Sequence, residues 1–530
     1  MKRGNLSKLL VVLIAALTLF CLSSCGSNTL KEAQKAFDAG EYEQAISIIN
    51  ESEESLSDNE DLNALYISSY EKWCEELISQ GDYEKVISNI NDSGITLNKG
   101  DHIADLYVDA CKNLFDKTLS EKNYFQAFDF LSQMVDWGML SSSEANEDYY
   151  KLGEGFSDSK YFAQSGIAYA NAGEYSDANK KCKASWDKGA YRTTISIDDY
   201  SAVGILADGT VASTKNDELI DEHGTTSAIG RARKNMKLDV GSWKNIVSVI
   251  TTDYNCAGLT EDGKVVTCVT GAKLWDDDDY SLNTGGWSDI VAISMDSKII
   301  AGLDKFGKVH VAGSDSSGFK EAENWSNIVD ISVYWNTLVG VDAFGKVHVI
   351  NTYDGDESDN PENVPFAEGE FSGDDVRQFS TAMSYGVYIT EDGSLKTTIT
   401  QDRADRIEFM TEIKDIPMDI NDFKGLSAES GNVYVQCEAG YMNYVGLRRD
   451  GTVKVGGEMG ERLEGFGAKD WKDIKEVHIG ISDLNPVIAG VASDGTLNLA
   501  GFEGGSYIPF HERIRGWGKL KAPTIEYSVH

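Results

Sequence analysis

The sequence predicts a multidomain chain of the α plus all-β class, in which a helical segment precedes a longer β-rich segment. Two repeating patterns carry this prediction. A tyrosine-centred motif recurs in the first part of the chain, and a glycine-turn motif recurs seven times after about residue 190. The length of 530 residues exceeds what one hydrophobic core normally holds, which supports two or more domains.

The charge of the chain excludes one broad class of partner. Lysine and arginine together number 48, and aspartate and glutamate number 86, which gives a formal net charge of −38. A surface of this sign repels phosphates, so we expect no nucleic-acid partner.

The first 25 residues have the pattern of an export signal. Lys2, Arg3 and Lys8 form a basic start, and the apolar run to Leu22 is shorter than the ~20 residues of a stable membrane span. The four residues that end at Cys25, Leu-Ser-Ser-Cys, resemble the bacterial lipoprotein box, in which the signal is cut before the cysteine and the cysteine carries lipid. The resemblance implies an extracytoplasmic protein, lipid-anchored through Cys25 to a bacterial membrane, at the cell surface or in the periplasm. An ordinary signal peptide with a chance cysteine is the alternative.

A helical repeat is indicated between about residues 28 and 190. A short motif recurs at Tyr42, Tyr83 and Tyr124, each 41 residues after the last, and a fourth copy centres on Tyr175. Glycine or asparagine before the tyrosine can end one helix in a left-handed turn, and an acidic residue there favours the start of the next. The motif resembles the turn of tetratricopeptide repeats, whose period is about 34. Such hairpins stack into a solenoid, which serves either as a concave peptide-binding groove or as a spacer.

Seven β-hairpin repeats are predicted in the second part of the chain. The copies begin at Gly204, Gly258, Gly302, Gly340, Tyr388, Gly446 and Gly490. Most contain Asp-Gly between apolar runs, the strongest short hairpin signal, because both central positions of a two-residue turn need positive φ. Phe306 and Phe344 replace the aspartate in two copies, where we expect another turn type.

A second phrase, a tryptophan three residues before an isoleucine, precedes four of the repeats. It begins at Trp243, Trp287, Trp325 and Trp471, and it is missing before the fifth and sixth repeats. The pairing of the two phrases resembles the repeat of the regulator of chromosome condensation family, whose members fold as β-propellers, normally with seven blades. We interpret the tryptophans as core between blades rather than as binding anchors.

This resemblance implies a seven-bladed β-propeller of four-stranded blades. Ring closure leaves only short exposed strand edges. We expect Trp517 to repeat the tryptophan phrase and to close the ring against the first blade near Tyr191. The family's eukaryotic founder binds chromatin and promotes nucleotide exchange on a small GTPase, but export and acidic charge argue against either role here. A closer analogy is the secreted bacterial β-lactamase inhibitory propeller, which binds an enzyme through one aromatic-rich face.

The two resemblances together give the predicted domain boundaries. The segments are, in order, a lipoprotein signal peptide at 1–24, a lipidated tether at 25–29, tetratricopeptide-like helical repeats at 30–189, a seven-bladed β-propeller at 190–522 and a tail at 523–530.

Aromatic residues in the loops opposite the glycine turns are the candidate partner-binding residues. Five of the seven repeats place one within a few residues before the repeat begins: Tyr200, Tyr254, Trp335, Tyr385 and Tyr441. Aromatic side chains provide a large contact area at low entropic cost and are enriched at binding hot spots. The alternative is that these rings pack between blades.

No pattern of catalytic, cofactor-binding or metal-binding residues stands out. The motifs GxSxG, HExxH and GxxxxGK[ST] are absent, and His310 and His348 occupy equivalent strand positions that packing explains better than ligation. The acidic runs at 276–279 and 354–359 are expected to be solvated loops rather than calcium sites.

The cysteines are expected to stay unpaired. Six of them follow Cys25, without a CxxC pair. A two-residue turn at 262–263 would place Cys256 opposite Val269, so that Cys256 and Cys268 would point to opposite faces of the hairpin. We therefore predict no disulfide between these two residues.

Together these patterns predict a membrane-anchored lipoprotein that is not an enzyme and needs no cofactor. It would act as a protein-binding scaffold through one face of its propeller. Two alternatives stay open. One is a glycan-binding or glycan-active lipoprotein of the cell envelope, which would stack sugars on the same aromatic residues. The other is an inhibitor of an extracellular enzyme.

Overall fold

The computed structural model describes eleven stretches of the chain, and every structural statement below concerns them. They are residues 28–223, 236–252, 254–271, 279–352, 375–382, 385–399, 432–440, 443–457, 460–480, 486–501 and 507–527. The predicted signal peptide and Cys25 lie outside them. The chain divides into two compact units, one ending at Leu152 and the other beginning at Gly153. Within the described stretches, no helix combines the length and the apolar character that a membrane crossing requires.

Helical hairpins form the first unit and continue into the start of the second. The helices are α1 (28–38), α2 (Tyr42–Asn50), α3 (Glu60–Gln80), α4 (Tyr83–Asp92), α5 (His102–Ser120), α6 (Tyr124–Asp136), α7 (Ser142–Asp158), α8 (Phe162–Asn171) and α9 (Ala178–Gly189). The predicted left-handed turns are present, with φ of +79° at Gly40 and +76° at Gly81. Helix α3 packs against both α4 and α5, so successive hairpins stack as in a solenoid.

The third and fourth hairpin turns use lysine where the first two use glycine. Lys122, between α5 and α6, and Lys160, between α7 and α8, have φ of +62° and +63°. The predicted fourth copy around Tyr175 does join two helices, α8 and α9. The equivalent turn at Lys160 precedes it, and sequence analysis missed that turn because Phe162 stands where the other copies have the tyrosine.

Seven three-stranded antiparallel sheets follow the helices, and each is a meander of consecutive strands. The first three sheets are β1 (Ile195–Ile197), β2 (Ser201–Ile205) and β3 (Val211–Lys215); β4 (Ile246–Thr251), β5 (Asn255–Thr260) and β6 (Val265–Val269); and β7 (Ile290–Asp296), β8 (Ile299–Asp304) and β9 (Val309–Ala312). The fourth and fifth are β10 (Ile328–Tyr334), β11 (Thr337–Asp342) and β12 (Val347–Asn351); and β13 (Val376–Thr381), β14 (Gly386–Thr390) and β15 (Leu395–Thr397). The last two are β16 (Tyr434–Ala439), β17 (Asn443–Arg448) and β18 (Val453–Gly457); and β19 (Ile474–Ile479), β20 (Val487–Ala492) and β21 (Leu497–Gly501).

The seven sheets close into a ring, which confirms the predicted seven-bladed β-propeller. The first strand of each sheet contacts the sheet before it, and β19 of the seventh sheet contacts β1 of the first. The C-terminal segment completes this joint, since Leu520 forms a β-bridge with Leu206 and Lys519 forms one with Thr496. The indole of Trp517 packs against the first sheet, as the closure prediction requires.

Tryptophan and glycine of the two repeated phrases pack against each other in five sheets. A Cβ atom on the glycine would lie within 2.8 Å of the indole, so only glycine fits without displacing the ring. The pairs are Gly204 with Trp517, Gly258 with Trp243, Gly302 with Trp287, Gly340 with Trp325 and Gly490 with Trp471. Four of these indoles join hydrophobic clusters between neighbouring sheets, in agreement with their interpretation as core.

The expectation of four-stranded blades is wrong for the described residues. Helical segments, rather than a fourth strand, lie against the third strand of several sheets. Helix α10 (Asp217–His223) follows β3. A 3₁₀ helix (Ser316–Asn324) packs on β9, α11 (Gly460–Gly465) packs on β18, and α12 (Tyr507–Arg515) packs on β21. These helices cover the outer strand edges, which would otherwise be open to pairing with another chain.

All seven glycine turns share one geometry, which corrects two expectations. The glycine N–H donates to the carbonyl three residues earlier, and only the glycine has positive φ, for example +76° at Gly263 and +77° at Gly307. This is a type I turn followed by a left-handed glycine, not a two-residue turn, and the phenylalanine copies do not differ from the aspartate copies. The extra loop residue shifts the register by one, so Cys256 lies opposite Cys268 and not opposite Val269.

Candidate functional site

The propeller has two faces, which differ in what covers them. The turn face carries the seven glycine turns. The loop face carries the loops that join the first and second strands of each sheet. Because the strands of each sheet are antiparallel, these two sets of connections lie at opposite ends of the strands. The predicted partner-binding residues belong to the loop face.

Helices α8 and α9, which belong to the same compact unit as the propeller, cover part of the turn face. Three of their side chains, and that of Tyr161 just before α8, contact the turns of the second to fifth sheets. The contacts are Lys183 Nζ with Glu261 Oε1 at 3.3 Å, Trp186 Nε1 with the Lys305 carbonyl at 3.0 Å, Gln164 Nε2 with the Ala343 carbonyl at 3.3 Å, and Tyr161 Oη with Glu391 Oε1 at 2.8 Å. Trp186 is almost completely buried. Such burial, together with its hydrogen bond, holds α9 against the turn face.

The C-terminal tail adds to this cover. The Glu526 N–H donates to the Lys188 carbonyl at 2.9 Å, which pairs the tail with the end of α9. The Tyr527 hydroxyl lies 2.8 Å from Gln436 Oε1 and 2.9 Å from the Lys475 carbonyl, in the sixth and seventh sheets. Described residues of this chain therefore occupy much of the turn face.

Two of the predicted binding residues on the loop face are buried in an aromatic cluster. Tyr200 and Tyr254 pack with apolar residues that come from the insertions between strands. The Tyr254 ring stacks on Tyr280 with centroids 4.3 Å apart and an interplanar angle of 8°. The remaining members of this cluster are Leu219, Ile220, Met236 and Tyr507. For Tyr200 and Tyr254 the structure thus favours the packing alternative.

Tyr385 is also a packing residue. Its side chain is completely buried, and its hydroxyl donates to the carbonyl of Asn443 at 2.8 Å and lies 3.1 Å from that of Gly440. The ring therefore joins the fifth and sixth sheets from within, and its side chain is not accessible in this structure. Tyr441 lies outside the described residues.

Of the predicted binding residues that the structure describes, Trp335 is the one whose side chain is exposed. It lies in the short loop between β10 and β11, with 38% of its side chain exposed. Its φ is +46°, and among the described non-glycine residues with positive φ it is the one aromatic. The loop is held at two points. The Trp335 N–H donates to Asp296 Oδ2 of the third sheet, and the Thr352 N–H donates to the Asn336 carbonyl at 2.9 Å.

Sequence analysis missed two partial rings of polar side chains that join the first strands of neighbouring sheets. The side chains of the first ring line the central cavity of the propeller, which has a volume of about 80 Å³. In each ring, a side chain of one first strand accepts the main-chain N–H of the next first strand. The first ring comprises Ser196, Ser294, Ser332, Ser380, Glu438 and His478, which accept from Thr251, Val333, Thr381, Ala439, Ile479 and Ile197. The second comprises Asp330, Gln378, Gln436 and Glu476, which accept from Phe379, Cys437, Val477 and Thr194. The last member of each ring crosses the joint between the seventh and first sheets.

Two members of the second ring are buried carboxyl groups. Burial raises the pKa of Asp330 to about 7 and that of Glu476 to about 7, because the charged form is poorly solvated inside the propeller. Each still accepts a main-chain N–H, which lowers the pKa in opposition to burial. Asp330 and Glu476 therefore join neighbouring sheets, and both are buried inside the propeller.

The histidines singled out in the sequence are hydrogen-bonded to aspartates within their own hairpins. His310 Nε2 lies 2.9 Å from Asp304 Oδ2, and His348 Nε2 lies 3.0 Å from Asp342 Oδ2. Among the described residues, no group of three or more His, Cys, Asp or Glu side chains is arranged to hold a metal ion. The acidic runs at 276–279 and 354–359 lie outside the described residues, except for Asp279.

The ring of seven sheets and its covered turn face define the class of this protein, a seven-bladed β-propeller preceded by helical hairpins. No protein-family model and no curated protein matches the chain. Among solved structures it is similar to Prp20p of Saccharomyces cerevisiae, studied for its binding to Gsp1p and histones, with 11% identity and a TM-score of 0.33 over 61% of this chain and 85% of that one.

Two further solved structures show a comparable likeness. Human WBSCR16 is 12% identical with a TM-score of 0.35, over 55% of this chain and 86% of that chain. The C-terminal domain of gp131 from bacteriophage phiKZ is 9% identical with a TM-score of 0.28, over 60% and 94%. At these values the fold assignment depends on the seven sheets of this chain itself.

Proposed function

We propose that the protein is a membrane-anchored, extracytoplasmic scaffold without enzymatic activity that binds a protein partner through the loop face of its propeller. The observation that carries this proposal is the conformation of Trp335, whose ring is exposed while its backbone has a positive φ. A bulky residue rarely adopts this conformation, which costs on the order of 1–3 kcal/mol. Strain of this kind concentrates at functional sites, and tryptophan is enriched at binding hot spots.

The anchoring of the Trp335 loop supports a rigid contact point. Asp296 of the third sheet accepts a hydrogen bond from the Trp335 N–H, and the Asn336 carbonyl accepts one from the N–H of Thr352, which follows β12. A ring that is already held in its binding conformation loses little entropy when a partner covers it. The adjoining Tyr334 lines the central cavity, so Trp335 lies near the middle of the loop face. Hot-spot residues cluster near the centres of interfaces.

The charge of the chain indicates the chemistry of the partner. With a net charge of −38, the protein attracts a partner that presents basic side chains, because complementary charge speeds encounter and selects among partners. Asp296 and the exposed Asp315 lie on the loop face, within the third sheet and just after it. We therefore propose a protein with a basic, partly apolar surface as the partner.

The proposed membrane anchor is Cys25. The support is the Leu-Ser-Ser-Cys sequence that follows a basic start and a short apolar run. Each CH₂ group of a lipid chain that is buried in the membrane contributes about 0.8 kcal/mol to the binding free energy, and two or more chains on one cysteine give stable anchoring. Labelling of growing cells with an alkyne-tagged fatty acid tests this part. The full chain should incorporate the label and the Cys25→Ser variant should not; equal labelling of both would overturn it.

The test of the binding site compares two tryptophans. Full-length protein and the Trp335→Ala variant are used to capture partners from an envelope extract, and the retained protein is then titrated against both by calorimetry. We expect one partner, with an affinity that Trp335→Ala weakens about tenfold to a hundredfold. Raising the salt concentration should weaken binding, because the partner carries the opposite charge.

Trp137→Ala is the matched control. Trp137 lies in the first compact unit, and 46% of its side chain is exposed. Its removal should leave the affinity unchanged. A loss with Trp137→Ala but not with Trp335→Ala would move the site to the helical unit. Saturable binding of purified polysaccharide, with no protein retained, would instead favour the glycan-binding alternative.

A further inference from the structure

Two cysteines lie directly opposite each other in the second sheet. Cys256 on β5 is the cross-strand partner of Cys268 on β6, so both side chains project from the same face of the hairpin. Cys256 is buried in the apolar cluster between the first and second sheets, and Cys268 packs against the edge of that cluster. Both cysteines are free thiols in this structure.

The two sulfur atoms have different surroundings. Cys256 Sγ lies 3.5 Å from Thr251 Oγ1 in the buried interior. Cys268 is half-buried, and its sulfur accepts the main-chain N–H of Asp239 at 3.3 Å. A hydrogen bond from Cys256 and this N–H both stabilise a thiolate at Cys268, which lowers the pKa of Cys268 to about 7. The same contact and burial raise the pKa of Cys256.

We propose that Cys256 and Cys268 form a redox-active dithiol, in which Cys268 reacts first with a small disulfide and Cys256 then closes an intramolecular disulfide. The argument depends on the register, on the position of Cys268 at the edge of the cluster and on the buried second thiol beside it. It is independent of the proposed binding function. The other described cysteines, Cys74, Cys111, Cys182 and Cys437, are each buried and none of them has a described cysteine as its cross-strand partner.

The reaction balances as thiol–disulfide exchange with glutathione disulfide. The Cys268 thiolate attacks one sulfur, the glutathione S–S bond breaks, and one glutathione thiolate leaves. Cys256 then loses its proton to solvent and attacks Cys268 Sγ in the mixed disulfide, which releases the second glutathione. The two protein thiols are oxidised by two electrons, and one glutathione disulfide is reduced to two thiols.

The register indicates that this disulfide is easily reduced again. Main-chain hydrogen bonds join Thr260 to Lys264 and Tyr254 to Thr270, and they recur at every second pair, so Cys256 and Cys268 form a hydrogen-bonded pair. Cβ atoms are farther apart in such pairs, at about 5 Å, than the ~3.8 Å of an unstrained disulfide. Closing the bond must draw the strands together, and strained disulfides are the labile ones.

The test uses a trypsin site between the two cysteines. Full-length protein is equilibrated with glutathione buffers of increasing oxidised fraction, free thiols are blocked with N-ethylmaleimide, and the digest is analysed by mass spectrometry. Trypsin cuts after Lys244, Lys264 and Lys273, so peptides 245–264 and 265–273 stay joined only through a disulfide. We expect the joined species to rise with the oxidised fraction and to disappear when dithiothreitol is added.

Three variants separate the steps. Cys256→Ser should stop at a glutathione adduct on Cys268, Cys268→Ser should give neither product, and Cys437→Ser should behave as the unchanged protein. The proposal is overturned if the native protein keeps both thiols free at every glutathione ratio while urea-unfolded protein forms the link. A stable glutathione adduct on native Cys268 without closure would also overturn it, because Cys268 would then be a single reactive thiol.

Discussion

The five sheets that have the glycine–tryptophan pair, here called the regular sheets, and the fifth and sixth sheets fill the same position with different residues. In the third sheet, Gly302 lies beneath the indole of Trp287. In the fifth, Tyr388 takes the position of the glycine, and its ring stacks on Phe379 with centroids 5.7 Å apart. In the sixth, the ring of Tyr434 lies over the glycine of that repeat. The comparison teaches that each blade needs a filled volume at this point, and that large and small residues can exchange places if the volume is kept.

The largest expected effect comes from emptying this volume in a regular sheet. Trp243 is buried between the first and second sheets, so Trp243→Ala should lower the free energy of unfolding of the propeller by about 3–5 kcal/mol. Urea unfolding followed by near-ultraviolet circular dichroism measures this loss.

A second substitution sharpens the comparison. A Cβ atom on Gly258 would lie 2.8 Å from the Trp243 ring, so Gly258→Ala alone should also destabilise the propeller. The double variant should lose less stability than the sum of the two single losses, because the alanine at position 243 leaves room for the Cβ at position 258. Trp137→Ala is the exposed control, with an expected loss below about 1 kcal/mol. A loss from Trp243→Ala no larger than this control would contradict the packing argument.

The sequence predicted the parts of the fold that local chemistry determines. The glycine turns and the tryptophan phrase each have a short-range signal, and their number and spacing were enough to predict seven blades. The turn type was predicted wrongly, because Asp-Gly occurs both in two-residue turns and in the type I turn with a left-handed glycine that all seven repeats use. One residue of difference in the loop decided whether Cys256 and Cys268 face each other.

The candidate site was only partly predictable. Tyr200 and Tyr254 were expected at a surface, but α10 (Asp217–His223), α12 and the residues around Tyr280 cover them, and no repeat position encodes these insertions. The polar rings had a signal in alternate residues of the first strands, such as Asp330 and Ser332. Alternation of that kind is typical of strands that face solvent, whereas here these side chains face the next blade.

The second prediction compares the fourth and fifth sheets at the second polar ring. Asp330 and Gln378 each accept a main-chain N–H from the next sheet, but only Asp330 can ionise. The pKa of Asp330 is raised to about 7, whereas an unfolded carboxyl titrates near 4. Between these values the native state holds a proton that the unfolded state has lost. The free energy of unfolding therefore falls as the pH rises from about 4 to 7.

Asp330→Asn should remove this part of the pH dependence. The amide oxygen can still accept the Phe379 N–H, so the variant should be more stable than the native protein above pH 7, by about 1–3 kcal/mol. Urea unfolding at pH 5 and pH 8 measures the difference. Glu476→Gln is the parallel variant in the seventh sheet, because its pKa is also raised to about 7. If Asp330→Asn is no more stable than the native protein at pH 8, the buried carboxyl does not carry the cost assigned to it.

The smallest expected effect compares the third and fifth sheets at the pair Asp304 and His310. The fifth sheet has Lys396 at the position equivalent to His310 and no such pair. The hydrogen bond that the Asp304 carboxylate accepts from His310 raises the pKa of His310 in the folded protein. The stabilisation is therefore complete below the unfolded pKa of about 6.5 and is lost as the pH rises through the folded pKa. His310→Gln should lower the melting temperature more at pH 5.5 than at pH 8.5. Since the ring is partly exposed, the difference should stay below about 1 kcal/mol.

Asp304→Asn, which keeps the carbonyl oxygen that accepts the turn N–H groups of Phe306 and Lys308, should abolish the same pH dependence. Equal losses at both pH values would show that the histidine acts through packing against Trp287 alone.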